Sequence, residues 1–206
     1  MLALILVLAL VIYQHTRAIS SAEKLFVMLP GGLPPEKEAF ILRYEQWLNA
    51  QLLEYHCSFR FGMAQVSVFK QKDQPRYFSF LFHSFTSCCI DSFFDASGNL
   101  ETSNSGSNGL YQHPRGYIQS FPKCPPPELW QRHLEGEQYL TVNLGWRLQP
   151  FAEPYANHLI ATTNALIAHN RTQSLWPFRI LYRFFVTRFA IRNKSIAQQL
   201  AGHKRL

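Results

Sequence analysis

The chain has no CxxC pair, no HExxH, no GxGxxG, no P-loop and no GxSxG in its 206 residues. These absences exclude motif-borne zinc ligation, dinucleotide binding, P-loop nucleotide hydrolysis and nucleophile-elbow hydrolysis. Charge is also scarce: 16% of residues are charged, against about 25% in an ordinary soluble domain. No internal repeat is present, so a solenoid or propeller is excluded. No Lys or Arg precedes the apolar run that opens the chain, and a secretory signal peptide ordinarily starts with positive charge. Ser20 and Ala22 do fit a small-x-small cleavage pattern. From Arg171 to Leu206 there is no Asp or Glu at all.

What is present is apolar and aromatic. Hydrophobic residues make up 47% of the chain, including 17 Phe, 9 Tyr and 4 Trp. That supply fills a core and rules out global disorder. The length suits one folded domain plus an anchor. We divide it into an anchor helix over residues 1–18, a linker over 19–33 and a single domain over 34–206.

The anchor rests on Leu2 to Tyr13, LALILVLALVIY, twelve residues without a charge. This is short for a span of about twenty residues, but uniformly hydrophobic where a core helix is usually amphipathic. Arg17 and Lys24 follow it, and the positive-inside rule then places the body in the cytoplasm, behind a single-pass N-terminal anchor. Four cysteines, Cys57, Cys88, Cys89 and Cys124, agree with that compartment if they are reduced. A Cys57–Cys124 bridge would require export.

Beyond Gly31-Gly32-Leu33-Pro34-Pro35, apolar residues at Ile41, Tyr44, Leu48, Leu52 and Tyr55 predict a helix over 35–56. Period-two segments then predict strands over 63–70, 76–85, 88–94 and 100–104, with an edge strand over 116–121. Pro125-Pro126-Pro127 opens a helix over 128–135, the stretch 139–146 fits strand or helix, and a helix is expected over 154–170. A last helix over 174–200 has Ser174 as its cap and Pro177 in its first turn. The fold class expected is α+β: an antiparallel meander of four or five strands packed with helices, plus the N-terminal membrane-anchor helix.

The sharpest feature is that last helix. It carries Trp176, Arg179, Arg183, Phe184, Phe185, Arg188 and Arg192, the candidate membrane-interface residues. Arg179 and Arg183 lie about 40° apart on a helical wheel, with Arg188 and Arg192 similarly paired on the opposite side. Four arginines at roughly 2.5 kcal/mol or more each exclude a simple spanning segment. Aromatics in the headgroup zone with arginines on phosphates describe an interfacial helix. A core helix with its arginine stems along the domain surface has the same composition. The tail holds eight of the 20 basic residues, which leaves twelve against 13 acids elsewhere. Nucleic acid is disfavoured as a partner because no DNA- or RNA-binding motif accompanies the charge. Membrane lipid is the partner expected, with a protein partner also compatible.

Catalytic and metal readings find little. A thiol enzyme would set Cys88 or Cys89 beside His83 with Asp91 as orienter. Along one strand, His83 and Cys89 would stand about 20 Å apart, and no Gly, Pro, Asn or Asp at 84–87 favours a turn. His158 and His169 share a helical face about 16 Å apart, too far to share an ion. His133 has only Glu137 four residues on. No catalytic residue, metal or cofactor is therefore expected, and the function read is a non-enzymatic binding or scaffold module at a membrane surface. Its alternative is a membrane-associated enzyme with a site assembled from distant Cys, His and carboxylate residues.

Overall fold

The computed structural model describes residues 26–94, 98–105, 116–149, 154–174, 176–182, 186 and 188–203. Seven strands form one sheet in simple sequence order. They are β1 (Phe26–Met28), β2 (Leu53–Phe61), β3 (Ala64–Gln71), β4 (Arg76–Phe82), β5 (Thr86–Phe94), β6 (Gly98–Ser103) and β7 (Gly116–Ser120). Neighbours are antiparallel except β6 and β7, which are parallel. The fold is α+β with a mixed sheet, wider than the four or five strands expected. Among the described residues no helix is long and apolar enough to cross a membrane; the anchor read over 1–18 lies outside them.

Alternation along β4 divides the core into two layers. Phe78, Phe80 and Phe82 point to one face, here the front, and Tyr77, Ser79 and Leu81 to the back. The front is covered by α1 (Pro35–Leu42), α2 (Glu45–Ala50) and α3 (Pro126–Leu144). Phe40, Tyr44 and Trp47 meet the Phe78–Phe80–Phe82 row edge to face or tilted, and Trp130 closes on Phe78. The back is covered by α4 (Tyr155–Thr172), whose Tyr155 stacks on Tyr77 at 4.4 Å between ring centres. The remaining helices are α5 (Trp176–Tyr182), α6 (Arg188–Ala190) and α7 (Ile196–His203).

Three expectations need correction. The helix over 35–56 breaks twice: α1 ends at Leu42, α2 ends at Ala50, and Leu52 turns the chain with a φ of 56°. Leu52 and Tyr55 keep helical spacing by coincidence, since Tyr55 already belongs to β2 and is exposed. Within the stretch read as linker, Phe26–Met28 pairs with β2, where Phe26 stacks on Phe59 at 4.2 Å. The strand over 76–85 stops at Phe82, and His83-Ser84-Phe85 makes a hairpin turn without glycine or proline, the Phe85 ring resting on His83 at 3.9 Å.

The helix expected over 174–200 is likewise interrupted: after α6 ends at Ala190 the chain turns, and α7 begins only at Ile196. That break has a visible cause. Asn193 takes a φ of 57° and its N–H donates to Ser120 O at 2.6 Å, while Arg192 bridges to the same residue. The end of β7 therefore claims the backbone that would have continued the helix.

The ambiguous segment over 139–146 is helical to Leu144, so α3 runs nineteen residues. Its buried stripe is Leu129, Trp130, His133, Gly136, Glu137 and Leu140, a helical repeat with two polar members. Gly136 sits where α3 crosses Gln119 of β7. A Cβ there would come 2.5 Å from Gln119 Nε2. Replacing a mid-helix glycine by alanine ordinarily gains up to about 1 kcal/mol. Here Gln119 is fully buried and tied on three sides, so it cannot yield. Gly136→Ala is expected to destabilise the fold by about 1–3 kcal/mol, read as a lower urea midpoint with an unchanged slope.

Candidate functional site

The structure supports three local arrangements on which a function could be built. One lies at the surface, one under α3 and one under α4.

The surface arrangement is the basic-aromatic segment. Phe178, Tyr182, Val186 and Phe189 are exposed to 67, 62, 44 and 51%. Phe178 and Tyr182, four residues apart on α5, share one helical face. Arg179 and Arg192 are exposed as well, and Trp176 is half-buried. Of the residues expected at a membrane interface, Trp176, Arg179 and Arg192 are thus placed near or at the surface. Arg183, Phe184 and Phe185 lie outside the described residues, as does the side chain of Arg188. The exposed members Phe178, Tyr182 and Phe189 were legible only as part of the aromatic run, because helical spacing alone does not say which stripe faces outward.

Under α3 lies a polar seam that crosses the front of the sheet. Arg76 grips both oxygens of Glu137, with Nε to Oε2 at 2.7 Å. Ser92 Oγ donates to Glu137 Oε2 at 2.9 Å. That uses its one proton, so the 2.7 Å contact with His133 Nε2 must run from the ring N–H to Ser92 Oγ. His133 Nδ1 is then the acceptor, and Thr102 Oγ1 donates to it at 2.9 Å. Gln119 Nε2 donates in turn to Thr102 at 3.0 Å, and Gln119 Oε1 receives Ile196 N–H at 3.1 Å. Every bond points the same way, from α7 through β7, β6 and α3 to the Arg76-paired carboxylate.

The Ser92–His133 pair invites a hydrolase reading, and its geometry refuses it. Both side chains are fully buried, so no substrate reaches Ser92. The group behind His133 is a threonine hydroxyl, not a carboxylate. Burial, reinforced by the nearby Arg76 charge, pulls the His133 pKa down to about 3, which leaves it a poor base. The i, i+4 spacing of His133 and Glu137 on the apolar stripe was the sequence signal for this seam.

Under α4, on the back face, three ligand-type side chains meet. Asp91 and Glu101 are directly opposite in the β5–β6 register, and Cys89 is two residues before Asp91 on the same face. Their ligand atoms lie within 4.8 Å of one another, and Cys89 Sγ approaches Asp91 Oδ2 at 3.9 Å. Tyr155 Oη donates to Asp91 Oδ2 at 2.9 Å. Each of the three keeps some solvent contact yet sits deep among protein atoms. That burial raises both carboxyls, and the Asp91 charge raises Glu101 further, so Glu101 is the better proton holder of the pair. Sequence reading named Cys89 and Asp91 but paired them with His83. The turn at 83–85 leaves His83 off the ladder, and Cys89 instead faces Ser79.

The cysteines are free, and a Cys57–Cys124 bridge is excluded because they belong to cores on opposite faces. Burial lifts the Cys57 and Cys124 thiols to about 11 and Cys88 to about 12, and Cys89 is raised well above the ordinary value by burial and by its acidic neighbours. A thiolate nucleophile is thus unfavourable at each. Among the described residues, a surface groove of about 530 Å³ lies between β7, α3 and the turn before α7, where Cys124 adjoins Glu128 and Arg132 without a histidine.

Two outcomes test the seam. Glu137→Ala leaves the half-buried Arg76 with only Gln71 Oε1 as partner and should cost about 1–3 kcal/mol in chemical denaturation. His133 is neutral when folded but protonates near pH 6.5 when unfolded, so its contribution is complete above that pH. It is lost as pH falls towards 3, at about 1.4 kcal/mol per pH unit. His133→Gln should remove that part of the slope between pH 6.5 and 4.5, measured against the parent by urea titration.

No family model matches this chain, and no curated protein or solved structure matches it either.

Proposed function

We propose that this chain is a non-enzymatic module held at a membrane surface, where the segment from Trp176 to Arg192 lies on an anionic leaflet. Residues 1–18 supply the anchor in this reading, and the body stands on the cytoplasmic side. The observation that carries it is that Phe178, Tyr182, Val186 and Phe189 are all left exposed in the same segment as the exposed Arg179 and Arg192.

Charge complementarity favours lipid as the occupant. Arg179, Arg192 and Lys194 are exposed, and no acid lies between Arg171 and Leu206 to oppose an anionic surface. Each such cation near an anionic leaflet contributes about 1 kcal/mol, so the three together contribute about 3 kcal/mol, or roughly a hundredfold in affinity. The four apolar side chains add burial in the headgroup zone. Neither half is sufficient alone. Aromatics without charge would not select the leaflet, and three arginines or lysines without exposed apolar side chains would be lost to salt screening. The enzyme alternative is weakened by the closed Ser92–His133 pair and the raised thiols.

Flotation of the chain lacking residues 1–20 tests this reading. It should rise with vesicles containing phosphatidylserine, rise much less with phosphatidylcholine alone, and be released at high salt. Replacing Phe178, Tyr182 and Phe189 together by Ala should cut flotation at least tenfold without shifting the urea midpoint. Equal recovery on both lipids, recovery on neither, or capture by a soluble protein in place of vesicles would remove the lipid reading.

A further inference from the structure

The back face of the sheet holds a second feature that membrane attachment does not use. Two ionised carboxylates directly opposite each other on adjacent strands repel, and a proton or a cation between them relieves the repulsion. Asp91 and Glu101 are in that register, yet among the described residues neither pairs with Lys or Arg. The thiol of Cys89 completes a triangle with them.

An independent observation points into the same place. Ser79 faces Cys89 across the β4–β5 ladder on the back face, and only 3% of it is exposed. Its Oγ completes no hydrogen bond of ordinary geometry, and its polar neighbour is the Tyr155 hydroxyl. The Tyr155 hydroxyl gives its own proton to Asp91. A buried serine hydroxyl with acceptor capacity to spare therefore stands beside the acid pair.

We propose that Cys89, Asp91 and Glu101 bind a divalent transition-metal cation of the zinc class, with Ser79 Oγ serving a water in the fourth position. A thiolate selects a borderline-soft ion, and three protein donors suit a four-coordinate site, whereas Mg²⁺ and Ca²⁺ prefer six or more oxygens. The 3.9 Å between Cys89 Sγ and Asp91 Oδ2 fits one ion between them at ordinary Zn–S and Zn–O lengths of about 2.3 and 2.0–2.2 Å, with an opened tetrahedral angle. A carboxylate oxygen of Glu101 lies within 4.8 Å of both other ligand atoms. Tyr155 holds Asp91 from behind as an outer-shell partner, which orients the ligand oxygen. Binding releases the thiol proton and whatever proton the acid pair holds to solvent, and no electron changes hands. The partial exposure of all three ligands leaves a route for loading.

Cobalt substitution tests the site directly. The full chain in mild detergent, stripped with chelator and titrated with Co²⁺, should show a thiolate-to-cobalt charge-transfer band that saturates at one ion per chain and is displaced by Zn²⁺. Cys89→Ser should abolish the band, while Cys57→Ser and Cys124→Ser should leave it intact. Asp91→Asn and Glu101→Gln should each weaken Co²⁺ binding at least tenfold, and both keep the side-chain shape should Cys89→Ser fail to fold. Absence of the band in the parent, its survival in Cys89→Ser, or parental affinity in both carboxamide variants would overturn the proposal.

Discussion

Gln119 ties the β6–β7 end of the sheet to the two helices packed on it. Its side chain donates to Thr102 and to Arg132 O and accepts from Ile196 N–H, so one fully buried amide joins β6, α3 and α7. Through Thr102 and His133 it also stands at the head of the wire that ends on the Arg76–Glu137 pair. A buried network of this kind is stabilising only when every member is satisfied, and a half-satisfied one is worse than an apolar core. Gly136 shows how little slack there is, since the space a single methyl would need is already occupied by Gln119.

The consequence for function runs through the end of the chain. Ile196 is bound by Gln119, and Asn193 is bound by Ser120, so the sheet edge at β7 sets where the chain arrives after the basic-aromatic segment. Ile196 itself fills a core position against Leu100 of β6 and Leu140 of α3. The chain that follows the surface proposed to meet lipid is thus fixed to the same residue, Gln119, that heads the buried seam. The back face follows a different logic. There, among the described residues, the acid pair has no cationic partner of the kind that Arg76 supplies on the front, and Tyr155 and Cys89 alone contact Asp91 by hydrogen bond.

Much of the fold was legible in the sequence. The alternation of Phe78, Phe80 and Phe82 with Tyr77, Ser79 and Leu81 predicted a strand because only a period of two separates those side chains into layers. The helices that became α3 and α4 were announced by proline at or just before their starts. The first part of the sheet was hidden for a physical reason. Leu52 adopts a left-handed conformation that non-glycine residues seldom take, so helical spacing through Tyr55 masked the start of β2. The hairpin at His83–Phe85 was hidden likewise, since aromatic packing replaced the usual turn residues. The candidate sites were legible only in part. Asp91 and Cys89 could be named, but their meeting with Glu101 depends on strand register, which no local spacing reveals. The arginines and aromatics after Trp176 were visible as a composition, and their exposure was not.

The proposed lipid-facing surface is carried on a seam-pinned body. Amide hydrogen exchange of the full chain mixed with phosphatidylserine-containing or purely zwitterionic vesicles tests that arrangement most directly. Amides of α5 and α6 should slow markedly on the anionic vesicles alone, while those of α3 and α7 stay equally protected on both. Unchanged exchange across α5 and α6, or slowing spread over the whole sheet, would contradict it.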